Sequence, residues 1–147
     1  MIRRVIVAGG GTGGHLFPGI AIVEELRRRD KRTEVLWVGT ARGIESRVLP
    51  PLGEKLELLD VTPLKGQSPL DVAKSLGRIP SAMSHGYGLL KQFAPDLVLG
   101  VGGYASGPIL AAAAAKGVPC ALHEQNAHVG LTNRILARLV DRAYLSY

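Results

Sequence analysis

The stretch VIVAGGGTGGHLFPGIA, Val5 to Ala21, constrains the fold more than any other part of the chain. A β-branched run enters a turn with five glycines, leaves it at His15, and continues as a helix-like segment. Glycine disfavours both helix and strand interiors but accepts positive φ, so such a run reads as a sharp strand-to-helix turn of bare backbone. That is the start of a βα unit.

The same alternation recurs along the sequence. RRVIVAG (3–9), EVLWVGT (34–40), KLELLDV (55–61), PDLVLGVGGY (95–104), VPCALHE (118–124) and DRAYLSY (141–147) read as strands. Between them, Pro18 suits the first turn of a helix that ends at Arg27 to Arg29, where cations favour the negative end of the dipole. IESRVLP (44–50) reads as a short helix stopped by Pro50 and Pro51. Residues 69–92 read as helical but kinked or broken by Gly77, Pro80, Gly86 and Gly88. Ser106 is placed to cap a further helix, with Pro108 in its first turn, Lys116–Gly117 at its end and five alanines, Ala111 to Ala115, as its inner run. LTNRILARLV (131–140) reads as the last helix. Regular βα alternation predicts an α/β fold, a doubly wound parallel sheet with right-handed crossovers. Ligands of such sheets lie beyond the carboxyl ends of the strands. The loops Gly9–His15 and Gly102–Gly107 and the segment HEQN (123–126) are therefore expected on one rim. A final strand with no helix after it also predicts a partner domain or further chain.

Composition narrows the class. Of 147 residues, 46% are hydrophobic and 20% charged, which fits a globular domain with an aliphatic core. The single cysteine, Cys120, excludes an internal disulfide and reads as a small buried side chain in a cytoplasmic protein. No run reaches the ~20 apolar residues of a membrane span, and the N-terminal apolar run is too short for a signal peptide. A net charge of +6 favours anionic partners. The dense cluster RRRDKR (27–32) closes a helix, and no aromatic–basic interleaving accompanies it, so nucleic acid is not expected.

Three readings of the first loop compete. Gly9, Gly11 and Gly14 satisfy G-x-G-x-x-G, but the second strand ends in WVGT (37–40), without the acid that would hold a ribose. Gly9 and Gly14 also have the spacing of a nucleotide phosphate loop, but His15 and Leu16 replace its lysine and hydroxyl. The third reading is a turn whose main-chain amides and helix start receive a diphosphate. It leaves His15 at the crevice mouth, where an imidazole can take a proton from a hydroxyl, or where it merely caps or packs.

The second loop, GVGGYASGP (100–108), brings Gly102, Gly103 and Gly107 beside another helix start and adds the hydroxyls of Tyr104 and Ser106. Two glycine turns on one rim suit a ligand with several phosphate or sugar contacts. In HEQNAHVGLTN (123–133), Glu124, Gln125 and Asn126 suit sugar hydroxyls and amides. A metal site from His123, Glu124 and His128 is conceivable, but adjacent residues of an extended chain point apart, so none is expected.

GGGTGGHLFPGIAIVEEL, VLGVGGYASGP and LHEQNAHVGLTNRILA together resemble the N-terminal half of the MurG family, bacterial N-acetylglucosaminyltransferases that make lipid II. The resemblance covers essentially the whole chain. It implies a GT-B fold of two Rossmann-like domains, of which residues 1–147 form the acceptor-binding one, the donor-binding C-terminal domain lying outside the chain. It implies transfer of GlcNAc from UDP-GlcNAc to the muramyl 4-hydroxyl of lipid I (undecaprenyl-pyrophosphoryl-MurNAc-peptide). Inversion, no cofactor and no metal are implied as well. The setting would be peripheral, on the anionic cytoplasmic face of the inner membrane.

Carried over, His15 matches the candidate base. Gly10, Gly11, Thr12, Gly13, Gly14, Gly102, Gly103, Tyr104, Ser106, Glu124 and Gln125 face the acceptor diphosphate and cleft. Thr12, Gly13, Gly14 and Asn126 also touch the UDP-sugar. The family offers a hydrophobic and basic membrane patch where this chain has SLGRIPSAMSHGYGLLKQF (75–93), with breakers through it. The family is about twice this long, so the chain is expected to need a donor-binding domain in cis or in trans for turnover. The competing expectations are a non-catalytic membrane-associated subunit that recruits such a domain, and a nucleotide-binding oxidoreductase domain.

Overall fold

The computed structural model describes residues 2–63 and 66–146. Six parallel strands form one sheet: β1 (Arg4–Gly9), β2 (Glu34–Gly39), β3 (Lys55–Leu58), β4 (Leu97–Gly102), β5 (Cys120–Glu124) and β6 (Arg142–Leu145). Their order is β3-β2-β1-β4-β5-β6, so the chain reverses its direction of travel between β1 and β4. This is a doubly wound parallel sheet, as the alternation requires. Parallel strands need long crossovers, and four of the five here carry a helix of six residues or more: α1 (Gly13–Arg29), α3 (Pro69–Phe93), α4 (Ser106–Lys116) and α5 (Leu131–Leu136). The β2–β3 crossover carries a short α2 (Glu45–Val48) and a 3₁₀ turn at Pro50–Leu52.

Side chains alternate across the sheet. Ile6 and Ala8 point to the layer of α3, α4 and α5, beside Leu36, Val38, Val98 and Leu122. Val5 and Val7 point to the layer of α1, where Leu16 and Val23 meet Trp37, Leu99 and Val101. The central strands are buried on both faces, which is why they read as continuous apolar runs rather than alternating ones.

Several expectations are corrected. Helix α1 begins at Gly13, so Pro18 lies inside it rather than in its first turn. Segment 69–92 is one continuous helix, not a broken one. Pro80 and the open-sided Gly77 and Gly88 lie on its solvent side, while Ser75, Ala82, Gly86, Leu89 and Leu90 stay buried, so tertiary packing offsets the lost hydrogen bond. Of the five alanines of α4, only Ala112 and Ala113 are fully buried, because a helix turns its face every few residues. Ser106 is the first residue of α4, not its cap. The last helix is shorter than expected, β3 ends at Leu58 and β6 at Leu145, while Tyr147 lies outside the described residues. Cys120 is buried.

The basic cluster at the end of α1 is largely neutralised. Arg27 pairs with Glu54, Arg28 and Arg29 with Glu25, and Arg32 with Asp30. Glu54 also accepts the indole N–H of Trp37 at 3.1 Å, which ties α1 to the β2–β3 layer.

Candidate functional site

The two glycine loops meet at the carboxyl rim, where β1 and β4 lie side by side. Gly10 N–H donates to the Gly102 carbonyl at 3.1 Å. A Cβ on Gly103 would overlap the Gly10 backbone, and Gly103 has φ +84°. A Cβ on Gly102, at φ +100°, would overlap the His15 imidazole. Glycine is required at both positions by close approach and by backbone conformation together. The contact between the loops therefore accounts for the paired glycines before any ligand is considered.

His15 stands in the first turn of α1, half-buried against Gly102. Its Nδ1 shares a hydrogen bond of 3.0 Å with Oγ1 of Thr12, the residue before the helix, and its backbone N–H donates to the Thr12 carbonyl at 3.2 Å. The side-chain bond fixes one edge of the ring, while neither side chain caps a backbone N–H of the helix. Burial pushes the imidazole below its ordinary pKa of 6.5, opposed by the charges of Glu124 and Glu45 and by the Gly10 carbonyl. Burial thus favours the neutral ring, the form that can accept a proton.

The main-chain amides of the first loop are divided. Gly10 N–H is spent on Gly102, and Gly11 N–H donates to Glu45 Oε2 at 2.7 Å. The N–H groups of Thr12, Gly13 and Gly14 remain, at the positive end of a 17-residue helix. Thr12 and Gly14 are exposed.

In the second loop, Tyr104 lies beside Gly11 and its hydroxyl shares a hydrogen bond of 3.3 Å with Oγ1 of Thr40. Ser106 is wholly buried, and its hydroxyl donates to the Gly103 carbonyl at 2.7 Å. It shapes the loop instead of presenting a hydroxyl at the surface.

The third segment is braced from within. Glu124, buried at the end of β5, accepts from Asn126 N–H at 2.9 Å and from the Asn126 side chain at 3.0 Å. Its other oxygen accepts from Gly130 N–H at 3.1 Å and Asn133 at 3.0 Å. Burial pushes the Glu124 carboxyl up, but these donors outweigh it and hold the pKa below the ordinary 4.5. Gln125 is different: both polar atoms of its amide are buried without a hydrogen-bond partner. Asn126 and His128 are exposed. Among the described residues no group of three or more His, Cys, Asp or Glu is placed to hold a metal ion.

Glu45, Thr40 and Asn133 were not singled out by sequence reasoning. Thr40 follows β2 on the same rim, and an acid two residues after Gly43, in the first turn of a short helix, was the available signal for Glu45. Beside the site, an apolar groove of about 480 Å³ runs between α3, α4 and α5, lined by Ile79, Met83, Tyr104, Pro108, Leu131 and Ile135 among others.

A doubly wound parallel sheet of this order is the class of Rossmann-like domain found in GT-B glycosyltransferases. Residues 5–145 match the N-terminal domain of glycosyltransferase family 28, and the chain belongs to that family. It is 53% identical over 147 residues to the UDP-N-acetylglucosamine–N-acetylmuramyl-(pentapeptide) pyrophosphoryl-undecaprenol N-acetylglucosamine transferase of Syntrophus aciditrophicus, covering 100% of this chain and 41% of that protein. The transferase of the same name from Geobacter sp. strain M21 is 54% identical over 143 residues, 97% of this chain and 38% of that protein. Acinetobacter baumannii MurG superposes with a TM-score of 0.85 at 30% identity, over 99% of this chain and 42% of that one. A UDP-GlcNAc 2-epimerase from Neisseria meningitidis, at 16% identity and TM-score 0.64 over 98% of this chain and 40% of that one, shares the fold. The chain thus spans about two fifths of the length of the curated relatives it matches.

Proposed function

We propose that this chain is the acceptor-binding half of an inverting N-acetylglucosaminyltransferase that moves GlcNAc from UDP-GlcNAc to the muramyl 4-hydroxyl of lipid I. The observation that carries the reading is the meeting of the two glycine loops around His15, with the Thr12, Gly13 and Gly14 amides uncommitted beside it. Those amides and the α1 dipole suit the diphosphate of the acceptor or the donor sugar nucleotide. His15 takes the proton of the acceptor hydroxyl as its oxygen bonds to the anomeric carbon. The bond from that carbon to the UDP oxygen breaks, and UDP leaves with the electron pair. Glu124 and Glu45 stabilise the imidazolium that results.

Gln125, with its unpartnered amide, and Asn126 suit hydroxyl and amide groups of the sugars. Tyr104 lies between the glycine loops and the apolar groove. Exposed Leu131 and Ile135, with Arg134 and Arg138 on the same stretch, support contact with an anionic membrane surface. No helix among the described residues is long and apolar enough to cross a membrane. Turnover requires a donor-binding domain, in cis or in trans.

The test is GlcNAc transfer to a lipid I analogue by this chain joined to such a domain. His15→Ala should abolish most transfer with the circular dichroism spectrum unchanged; an unaltered rate removes His15 as the base.

A further inference from the structure

Glu45 has no solvent exposure, yet it carries an acid. Its Oε2 accepts from Gly11 N–H at 2.7 Å, and its Oε1 accepts from Thr40 N–H at 2.8 Å and the Thr40 hydroxyl at 3.2 Å. Three glycines wall it in: a Cβ on Gly10, Gly39 or Gly43 would overlap the side chain, and on Gly43 it would meet both carboxylate oxygens. A buried acid survives only when its oxygens are hydrogen-bonded, and a cage of this kind is worth keeping only if the carboxylate itself is needed there.

The location explains the need. A glycine turn at the end of β1 is where main-chain amides ordinarily gather around an anion. Here the protein supplies the anion. Glu45 is drawn from α2, 34 residues along the chain from Gly11, and it fills the turn from beneath. The same carboxylate reaches the second loop through Thr40, whose hydroxyl meets Tyr104. One side chain therefore ties together the ends of β1 and β2 and the tyrosine after β4.

We propose that Glu45 is the positioning residue of the His15 site: it occupies the anion-binding turn after β1, fixes the loop that carries the imidazole, and leaves only the Thr12–Gly14 amides to a bound diphosphate. The last clause rests on the function proposed above; the first two do not. Selectivity follows. A dinucleotide seated against the Gly10–Gly11 turn would meet the charge of Glu45, so the G-x-G-x-x-G spacing here excludes the ligand it usually receives. The ionisable groups acting on His15 are Glu45 from α2 and Glu124 from the end of β5, alongside the Thr12 hydroxyl and the Gly10 carbonyl.

The experiment is an NMR comparison of the wild-type chain with Glu45→Gln and Gly43→Ala. Glu45→Gln is nearly isosteric and removes the charge; Gly43→Ala keeps the charge but drives a methyl group into the carboxylate. In Glu45→Gln the His15 imidazole should titrate at lower pH. Glu45→Gln keeps one acceptor oxygen, so exchange of at least one of the Gly11 and Thr40 amides in that variant, and of both in Gly43→Ala, should accelerate by about tenfold or more while the central strands keep their protection. A His15 titration and amide exchange unchanged in Glu45→Gln overturn the proposal. If that variant fails to fold, unchanged amides in Gly43→Ala overturn it. Inorganic pyrophosphate supplies the last readout. It should shift the Thr12, Gly13 and Gly14 amides of the wild type and leave Gly11 still, and a pyrophosphate-dependent shift at Gly11 counts against the filled turn. If pyrophosphate moves none of these amides while the other changes occur, the diphosphate reading falls and the clamp stands.

Discussion

The loops after β1 and after β5 are both held by a buried carboxylate, but the two braces differ in reach. Glu124 binds donors at Asn126, Gly130 and Asn133, all within nine residues of itself. Glu45 binds across 34 residues and couples, through Thr40, to the tyrosine of the second glycine loop. A local brace makes its own loop rigid and does little else. A distant brace makes the relative position of separate loops part of the fold, which is what a site assembled from several strands needs. The two glycine loops share this lesson: their bare backbones let them touch each other before they touch anything else.

The comparison can be sharpened by substitution. The largest effect belongs to the imidazole beside the glycine loops: in the protein joined to a donor-binding domain, His15→Ala should lower the transfer rate by about 10²–10⁴-fold. Loss of a few-fold only would leave the imidazole as a helix cap. Next, Glu124→Ala should destabilise the chain by about 2 kcal/mol in urea unfolding, because it removes the acceptor of four donors, among them the buried Asn133. A cost below about 1 kcal/mol would show that the loop finds other partners.

Gly103→Ala should cost about 1–3 kcal/mol, since it combines positive φ with overlap on the Gly10 backbone, whereas Gly117→Ala at φ +68° has open space and should cost about 1 kcal/mol. Equal costs would mean that the loop–loop contact contributes nothing. The smallest effect is a slope. The pKa of Glu124 is lower in the folded chain than its ordinary 4.5, so its contribution is full above that value and lost as pH falls through the folded pKa. The urea midpoint of the wild type should therefore drop more steeply between pH 6 and pH 3 than that of Glu124→Gln.

What was legible in advance follows from range. The order of strands and helices is written in short apolar runs and turn residues, so β1, β2, β4 and β5 and the shared rim of three loops were readable. Glu124, Gln125 and Asn126 stood out because they cluster in sequence, although the role of Glu124 as an internal brace did not. The break expected in segment 69–92 is absent because Pro80 and its glycines weaken an isolated helix, while the packing of α3 on α4 that keeps it continuous is not a local property.

The sequence alone, through its period and its glycine turns, determined that this chain forms a parallel α/β sheet and set His15 at the mouth of its first turn. Only the tertiary structure decided which amides stay free, which hydroxyls turn inward and which acid fills the turn. Those outcomes depend on hydrogen bonds between residues tens of positions apart, and a buried donor or acceptor takes whatever partner the packed backbone brings within about 3 Å.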